Sequence, residues 1–249
     1  MTELSAFAEV QAAYERGDHE DVLRRTEAIL AERPGDDAAH ELRARALLAL
    51  GRVREAESEA EDAVRLDPDE IRYHELLADV LASEGAHRDA ADEYRRLAAG
   101  NPRQADWTVA EARERLGAAQ PEMGTEAARR ALRLDPGNAT AQLALAQGLT
   151  RLGQAQPALE AALRAASLLP GDPAAEETLA DARWLTGEVS AALEAYRTLS
   201  ARLDGAAREG VMRKARTLVG QRSGWLGRLV AGIPFLFGVA LRNGWLSVS

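Results

Sequence analysis

Proline recurs along the chain at a constant interval. Five prolines lie 34 residues apart, namely Pro34, Pro68, Pro102, Pro136 and Pro170. A glycine series follows the same interval with one gap, and consists of Gly17, Gly51, Gly85, Gly153 and Gly187. A single large core imposes no fixed period on its sequence, whereas tandem repeats do. The period therefore predicts a string of small units, each of which buries its apolar face only against its neighbours.

Small side chains align when each proline is placed at position 32 of a 34-residue frame, so that repeats begin at residues 3, 37, 71, 105, 139 and 173. Position 8 then holds Val10, Ala44, Ala78, Ala112, Ala146 and Ala180, and position 20 holds Val22, Ala56, Ala90, Gly124, Ala158 and Ala192. With apolar residues at positions 7, 11 and 27, the spacing is helical and predicts an all-α fold. We expect the small columns to reject larger side chains and Glu93 to be exposed.

The recurring glycine and proline predict two helices in each repeat. Glycine at position 15 suits the left-handed residue that closes a first helix. The second helix ends before the proline, because the residue preceding proline is disfavoured in helical geometry. The fourth repeat departs from the pattern, with Glu111 and Arg115 at apolar positions and Ala119 in place of glycine. For this repeat we expect a shifted first helix or a longer turn.

Composition narrows the function classes. The chain has no cysteine, which removes disulfides and thiolate metal sites. Its formal net charge is −9, and residues from 205 onward carry seven basic groups against one acid, so the preceding part carries −15. An acidic body repels phosphate backbones, and we expect no nucleic-acid partner. The N-terminus shows no secretory signal. Phosphate loops, nucleophile motifs and metal-ligand spacings are also absent from the sequence, which predicts a protein that is not an enzyme and has no cofactor.

The aligned columns resemble the tetratricopeptide repeat, whose pattern has Leu at position 7, small residues at 8, Ala at 20 and 27, and Pro at 32. The second repeat matches through Ala44, Leu47, Ala56, Ala63 and Pro68. The resemblance covers residues 3–204 and implies a right-handed superhelical α-solenoid. Its six repeats span approximately 3–36, 37–70, 71–104, 105–138, 139–172 and 173–206.

The resemblance also implies a binding groove formed by the first helices of the repeats, where family members commonly hold a peptide or helix of another protein. Transferred by position, the candidate groove residues are Phe7, Gln11, Tyr14, Glu41, Arg45, Arg72, Glu75, Asp79, Arg113, Gln147, Arg151, Asp181 and Trp184. Glu41 and Arg45 are also spaced to form an ion pair along one exposed helix, which needs no ligand.

All four histidines fall into two columns of the frame. His40 and His74 occupy position 4, and His19 and His87 occupy position 17. The family commonly places a packing aromatic ring in these columns, so the resemblance implies structural imidazoles. No third ligand is suitably spaced, and we expect no metal site.

Two segments follow the repeats. The pattern of residues 205–222 predicts an amphipathic, basic capping helix. Its apolar stripe consists of Ala207, Val211, Ala215, Leu218 and Val219, and Lys214 is among the charges opposite. Residues 223–249 form an apolar tail, with Trp225, Leu229, Ile233, Phe235, Phe237, Leu241 and Trp245 as candidates for membrane or self-docking contacts. Its uninterrupted apolar run is shorter than a bilayer core and contains Pro234, so both interfacial membrane binding and packing against protein remain open.

Three functions fit these features. The first is a cytoplasmic interaction scaffold that binds a partner protein in its groove, with self-association through the tail also possible. The second is a scaffold tethered by its tail to the inner face of a membrane. An accessory or regulatory subunit of an enzyme is the third.

Overall fold

A computed structural model describes the backbone of residues 3–230 and the side chains of residues 7–220. The described backbone contains 13 α-helices and no strand. The prediction of an all-α fold built from helix-turn-helix repeats is therefore confirmed.

Ten helices form the first of two compact units, Met1–Pro170, which we call the N-terminal unit. Each helix packs against the next along the chain. The helices are α1 (Glu3–Glu15), α2 (His19–Glu32), α3 (Asp37–Ala49), α4 (Val53–Leu66), α5 (Ile71–Glu84), α6 (His87–Gly100), α7 (Ala105–Gly117), α8 (Pro121–Leu134), α9 (Ala139–Arg151) and α10 (Ala155–Leu168).

The second compact unit, Gly171–Ser249, is called the C-terminal unit. Its described helices are α11 (Pro173–Thr186), α12 (Val189–Arg202) and α13 (Gly205–Val230). Helix α13 is the predicted capping helix, but it continues past residue 222, where the sequence pattern placed its end.

The 34-residue period appears directly in the positions where helices begin. From the second repeat onward, first helices begin at residues 37, 71, 105, 139 and 173, and the six second helices begin at 19, 53, 87, 121, 155 and 189. Each residue before a repeat proline leaves helical geometry, as Arg33 and Asp67 illustrate with φ of −135° and −134° and ψ of 81° and 89°. The five glycines at position 15 all have positive φ, between 68° and 88°. The sequence signals for helix ends therefore act as predicted.

The two small-residue columns lie at the helix contacts of both units. All six residues at position 8 and all alanines and valines at position 20 are fully buried. Gly124 shows how close the contact is, since an added Cβ would lie 2.8 Å from Leu116 Cγ and 3.1 Å from the Ala112 carbonyl oxygen. These columns are small because neighbouring helices leave no volume for longer side chains.

The expectation for the fourth repeat was wrong. Helix α7 begins in register and has the same 13 residues as α3 and α9. Ala119 adopts the left-handed conformation, with φ of 55°, in place of the usual glycine. Glu111 and Arg115 are buried but paired, with Arg130 and with Asp92 respectively. Burial raises the pKa of Glu111, and the neighbouring arginines oppose that rise. Ion pairing thus replaces apolar packing without moving the helix.

Glu93 was also assigned wrongly, because it is not a free surface residue. Its side chain is 12% exposed and lies 3.0 Å from His74 Nδ1 and 2.7 Å from Arg96 Nη1. A substitution there would break two polar contacts.

Candidate functional site

Candidate groove residues of the first three repeats line one pocket. Its walls are Phe7, Gln11 and Tyr14 of α1, Glu41, Leu42 and Arg45 of α3, and Arg72 of α5. The pocket encloses about 290 Å³ and is called the N-terminal pocket. Of these residues only Leu42 was not predicted. The rings of Phe7 and Tyr14 are half-buried, so each keeps apolar surface that a ligand could cover.

A buried carboxylate organises the charges of the N-terminal pocket. Glu41 is 6% exposed and accepts from Arg45 Nε at 3.0 Å, which is the ion pair that the helical spacing predicted. Arg72 Nη1 lies 3.3 Å from the other carboxylate oxygen, and the Arg72 guanidinium lies 5.0 Å from the ring centre of Tyr73. Arg72 Nε also lies 3.6 Å from Glu70 Oε2, so two guanidinium groups are held by two carboxylates. Both guanidinium groups are partly exposed, and their free N–H donors suit an acidic or aromatic ligand group.

The third repeat presents an acidic part of the groove. Tyr94 is buried and donates its hydroxyl to Asp79. Burial and the Asp79 carboxylate both raise the pKa of Tyr94, so this hydroxyl keeps its proton. Trp107 Nε1 donates to Glu75 Oε1 at 3.2 Å. Both carboxylates are thus positioned by buried aromatic donors, which leaves them little freedom to rotate.

The remaining groove candidates of the N-terminal unit lie on α7 and α9. Arg113 is exposed, and Gln147 is half-buried. Arg151 is also exposed, and its guanidinium donates to the carbonyl oxygen of Leu116. Arg151 therefore ties two first helices together.

In the C-terminal unit, α13 places its only lysine against α11. Lys214 Nζ donates to Glu177 Oε1 at 2.7 Å and to Asp181, which also accepts from Tyr196. Placing Lys214 on the polar face opposite the apolar stripe was therefore a wrong prediction. The ammonium reaches α11 because its stem is long enough to pass along the helix surface.

The apolar stripe predicted for α13 is correct over its central part. Val211 is buried in a cluster with Tyr196 and Leu199, and Ala215 and Leu218 pack against it. Ala207 is exposed instead. The groove candidate Trp184 also packs against this cluster, so part of its ring serves the core of the C-terminal unit.

Sequence reasoning missed Tyr94, Tyr196 and Lys214 as hydrogen-bond partners of the groove candidates Asp79 and Asp181. A signal for the tyrosines was present, because Glu75, Asp79 and Tyr94 have the same spacing as Glu177, Asp181 and Tyr196. The Lys214 contact had no equivalent signal, since it depends on the rotation of α13 about its axis.

Three of the four histidines have polar partners within the fold, and the fourth, His19, packs edge-on against the Tyr14 ring. His40 Nδ1 lies 2.7 Å from Glu59 Oε2, and Nε2 lies 3.1 Å from the Pro34 carbonyl oxygen. His74 repeats the arrangement one period later, at 3.0 Å from Glu93 and 2.9 Å from the Pro68 carbonyl oxygen. His87 Nδ1 lies 2.7 Å from Glu114. Over the described residues, no group of three or more potential metal ligands occurs.

The candidate tail residues lie outside the described part of the chain. This applies to the side chains of Trp225 and Leu229, and to Ile233, Phe235, Phe237, Leu241 and Trp245 entirely. Among the helices up to residue 230, none has the length and apolar character to cross a bilayer.

Comparison by sequence finds the tetratricopeptide repeat in two places. Family profiles of that description match residues 13–80 and residues 146–207, which together are just over half of the chain. No curated protein matches the chain.

Comparison by structure finds solved proteins of the same fold. A tetratricopeptide repeat protein from Parabacteroides merdae ATCC 43184 superposes with a TM-score of 0.71 at 14% identity, over 86% of this chain and 88% of its own. MamA from Desulfovibrio magneticus RS-1, residues 41 to its end, gives 0.59 at 21% identity, over 66% and 91%. YrrB, described as a TPR protein with an unusual peptide-binding site, gives 0.57 at 15% identity, over 76% and 97%. At these identities the similarity establishes the fold alone.

Proposed function

The chain belongs to the tetratricopeptide repeat family, and on that premise we propose that it is a non-enzymatic scaffold whose first-helix groove binds a peptide or helix of a partner protein. Proteins of this family are generally interaction scaffolds, and membership supports that general role. The proposal adds the surface that binds and its chemistry.

The observation that carries the proposal is the N-terminal pocket. It combines two half-buried rings, Phe7 and Tyr14, with the fixed guanidinium groups of Arg45 and Arg72. Aromatic side chains and arginine dominate the binding energy of protein interfaces, because they bury large areas and lose little conformational freedom. The recorded peptide-binding site of YrrB, which shares the fold, supports a peptide as the ligand.

Site-specific photo-crosslinking tests the proposal. A photoreactive amino acid replaces Gln11 of the N-terminal pocket, or, as the matched control, Gln156 on α10. Both glutamines are exposed in the N-terminal unit, but only Gln11 lines the pocket. We expect a defined crosslinked partner at Gln11, weakened by Arg72→Ala, and none at Gln156. Equal labelling from both positions would exclude the groove as the binding surface.

A second candidate is a cytoplasmic scaffold that its tail holds at the inner face of a membrane. The observation that favours it is the exposure of Arg208, Arg213 and Arg216 on α13, directly before the apolar tail. Basic residues next to an apolar segment are attracted to anionic lipid by about 1 kcal/mol per charge. Flotation of the full chain with anionic liposomes at low and high salt tests this, and failure to float at either salt concentration excludes it.

A further inference from the structure

An ammonium group is already bound at one groove position of this chain. In the sixth repeat, Lys214 Nζ donates to Glu177 and Asp181, and Tyr196 donates its hydroxyl to the second oxygen of Asp181. Tyr196 is 1% exposed, so its hydroxyl is a fixed donor that orients the Asp181 carboxylate from the buried side. Burial alone would lower the pKa of Lys214, but the two carboxylates outweigh it and raise that pKa. The three groups form a site for one protonated amine.

The third repeat contains the same three residue types at the same frame positions. Glu75, Asp79 and Tyr94 correspond to Glu177, Asp181 and Tyr196, with identical spacings. The internal geometry is also repeated, because Tyr94 donates to Asp79 Oδ1 just as Tyr196 donates to Asp181 Oδ1. Tyr94 is 7% exposed, whereas Asp79 is exposed on the groove side. The buried Tyr94 hydroxyl thus orients the Asp79 carboxylate, which itself remains accessible to solvent.

The third repeat has no amine equivalent to that of Lys214. Helix α7 follows this repeat and contributes the Trp107 indole to Glu75 but no lysine. Arg113 is the exposed basic residue on the groove side of α7, and among the described ion pairs neither Glu75 nor Asp79 has a lysine or arginine partner. The Arg113 guanidinium acts electrostatically on the Tyr94 hydroxyl, but two carboxylates positioned by buried donors remain without a described ion pair.

We propose that Glu75, Asp79 and Tyr94 bind the ammonium group of a lysine side chain, presented by the partner segment that occupies the groove. This inference rests on the proposed function and adds the chemistry of one position in the ligand. Lysine suits the site because a compact ammonium can donate to both carboxylates, as Lys214 does to Glu177 and Asp181 in the sixth repeat.

The sequence contains no second lysine that could occupy this site. Lys214 is the only lysine in the sequence, and Glu177 and Asp181 already hold it. A second copy of the chain therefore has no spare lysine side chain to offer. The acidic charge of the repeats also favours a basic partner segment.

Binding of defined peptides to the full chain tests the inference. The probes are three fluorescent alanine-rich helical peptides that differ only at one central residue, which is lysine, arginine or norleucine. Fluorescence anisotropy gives the affinity of each. We expect the lysine peptide to bind about tenfold more tightly than the norleucine peptide, since a charge-assisted hydrogen bond contributes on this scale, and the arginine peptide to lie between them.

Variants identify the site. Asp79→Asn keeps an oxygen that can accept from Tyr94 but replaces the other carboxylate oxygen with an uncharged N–H donor. It should therefore abolish the preference for lysine, and Glu75→Gln should reduce it. The matched control is Asp69→Asn, which removes one exposed carboxylate outside the groove and should preserve the preference. Equal binding of the lysine and norleucine peptides, no binding of the lysine peptide, or an unchanged preference in Asp79→Asn would each overturn the inference. Crosslinking at Gln11 would be unaffected by such a failure, so the two proposals fail separately.

Discussion

Ala119→Gly should stabilise the protein, because the native backbone at this position is one that alanine resists. Ala119 has φ of 55°, and it is the only non-glycine residue with positive φ in the described chain. The five equivalent positions are glycines with φ between 68° and 88°. An L-residue in the left-handed region costs about 1–2 kcal/mol, through contact of its Cβ with the backbone.

The expected gain is smaller than the strain that is relieved. Glycine has more freedom in the unfolded chain, and this opposes the gain by about 0.4–1 kcal/mol. Ala119 is exposed, so its methyl group contributes little buried area. The net expectation is a stabilisation of about 0.5–1 kcal/mol.

The reverse substitutions provide matched controls. A Cβ added at Gly85 or Gly153 would meet nothing within 4 Å, and both residues have positive φ. Gly85→Ala and Gly153→Ala should therefore destabilise by about the same 0.5–1 kcal/mol, through backbone strain alone. All three positions lie in the N-terminal unit, so urea unfolding followed by circular dichroism compares them in one transition. An unchanged or lower midpoint for Ala119→Gly, with the controls behaving as expected, would refute the strain argument.

Other substitutions test the packing columns and the ammonium site. Ala90→Leu and Ala146→Leu, both at fully buried positions, should each lower the free energy of unfolding by about 1–3 kcal/mol through overpacking. Variants as stable as the wild type would mean that the columns can accommodate larger side chains. Gly124→Ala should also destabilise, because its Cβ would lie 2.8 Å from Leu116, and Leu116→Ala should partly rescue it in a double-mutant cycle. The Lys214 pKa is raised in the folded chain from an ordinary value of 10.5, so its contribution is fully present below pH 10.5 and is lost as pH rises through the folded pKa. The melting temperature of the wild type should accordingly exceed that of Lys214→Met by a constant amount at pH 7–9 and by less above pH 10.5, whereas a constant difference at all pH values would contradict the ion pair.

The fold was predictable because the same signals recur in several repeats. The helix starts, the left-handed glycines and the non-helical residues before proline each depend on local backbone preferences, which sequence spacing reports directly. The small columns were predictable for a related reason, since close helix contacts exclude large side chains wherever the period places them. Neither prediction needed knowledge of side-chain orientation.

The errors concern residues whose environment depends on a particular partner. Glu111 and Arg115 looked incompatible with a buried helix face, but Arg130 and Asp92 compensate their charges. The sequence pattern predicted an exposed Glu93, but its side chain contacts His74 and is 12% exposed. Periodicity cannot predict such contacts, because they depend on rotamers and on helix rotation rather than on column identity.

The candidate site was predicted in part. Six of the residues that line the N-terminal pocket follow from the family positions, whereas Tyr94, Tyr196 and Lys214 emerged only from the three-dimensional arrangement. The family resemblance predicts which helix face forms the groove, but it did not predict which carboxylates accept from a buried tyrosine.

Quantitative affinity capture most directly tests whether the groove binds the partner. The baits are the wild-type full chain, a groove variant with Gln11→Ala, Arg72→Ala and Arg113→Ala, and a matched variant with Gln156→Ala, Arg129→Ala and Arg164→Ala. All six residues are exposed in the N-terminal unit, and the matched three lie on second helices. Mass spectrometry should show a partner retained by the wild type and the matched variant but lost from the groove variant. A partner that all three baits retain equally, or that only the matched variant loses, would contradict binding in the first-helix groove.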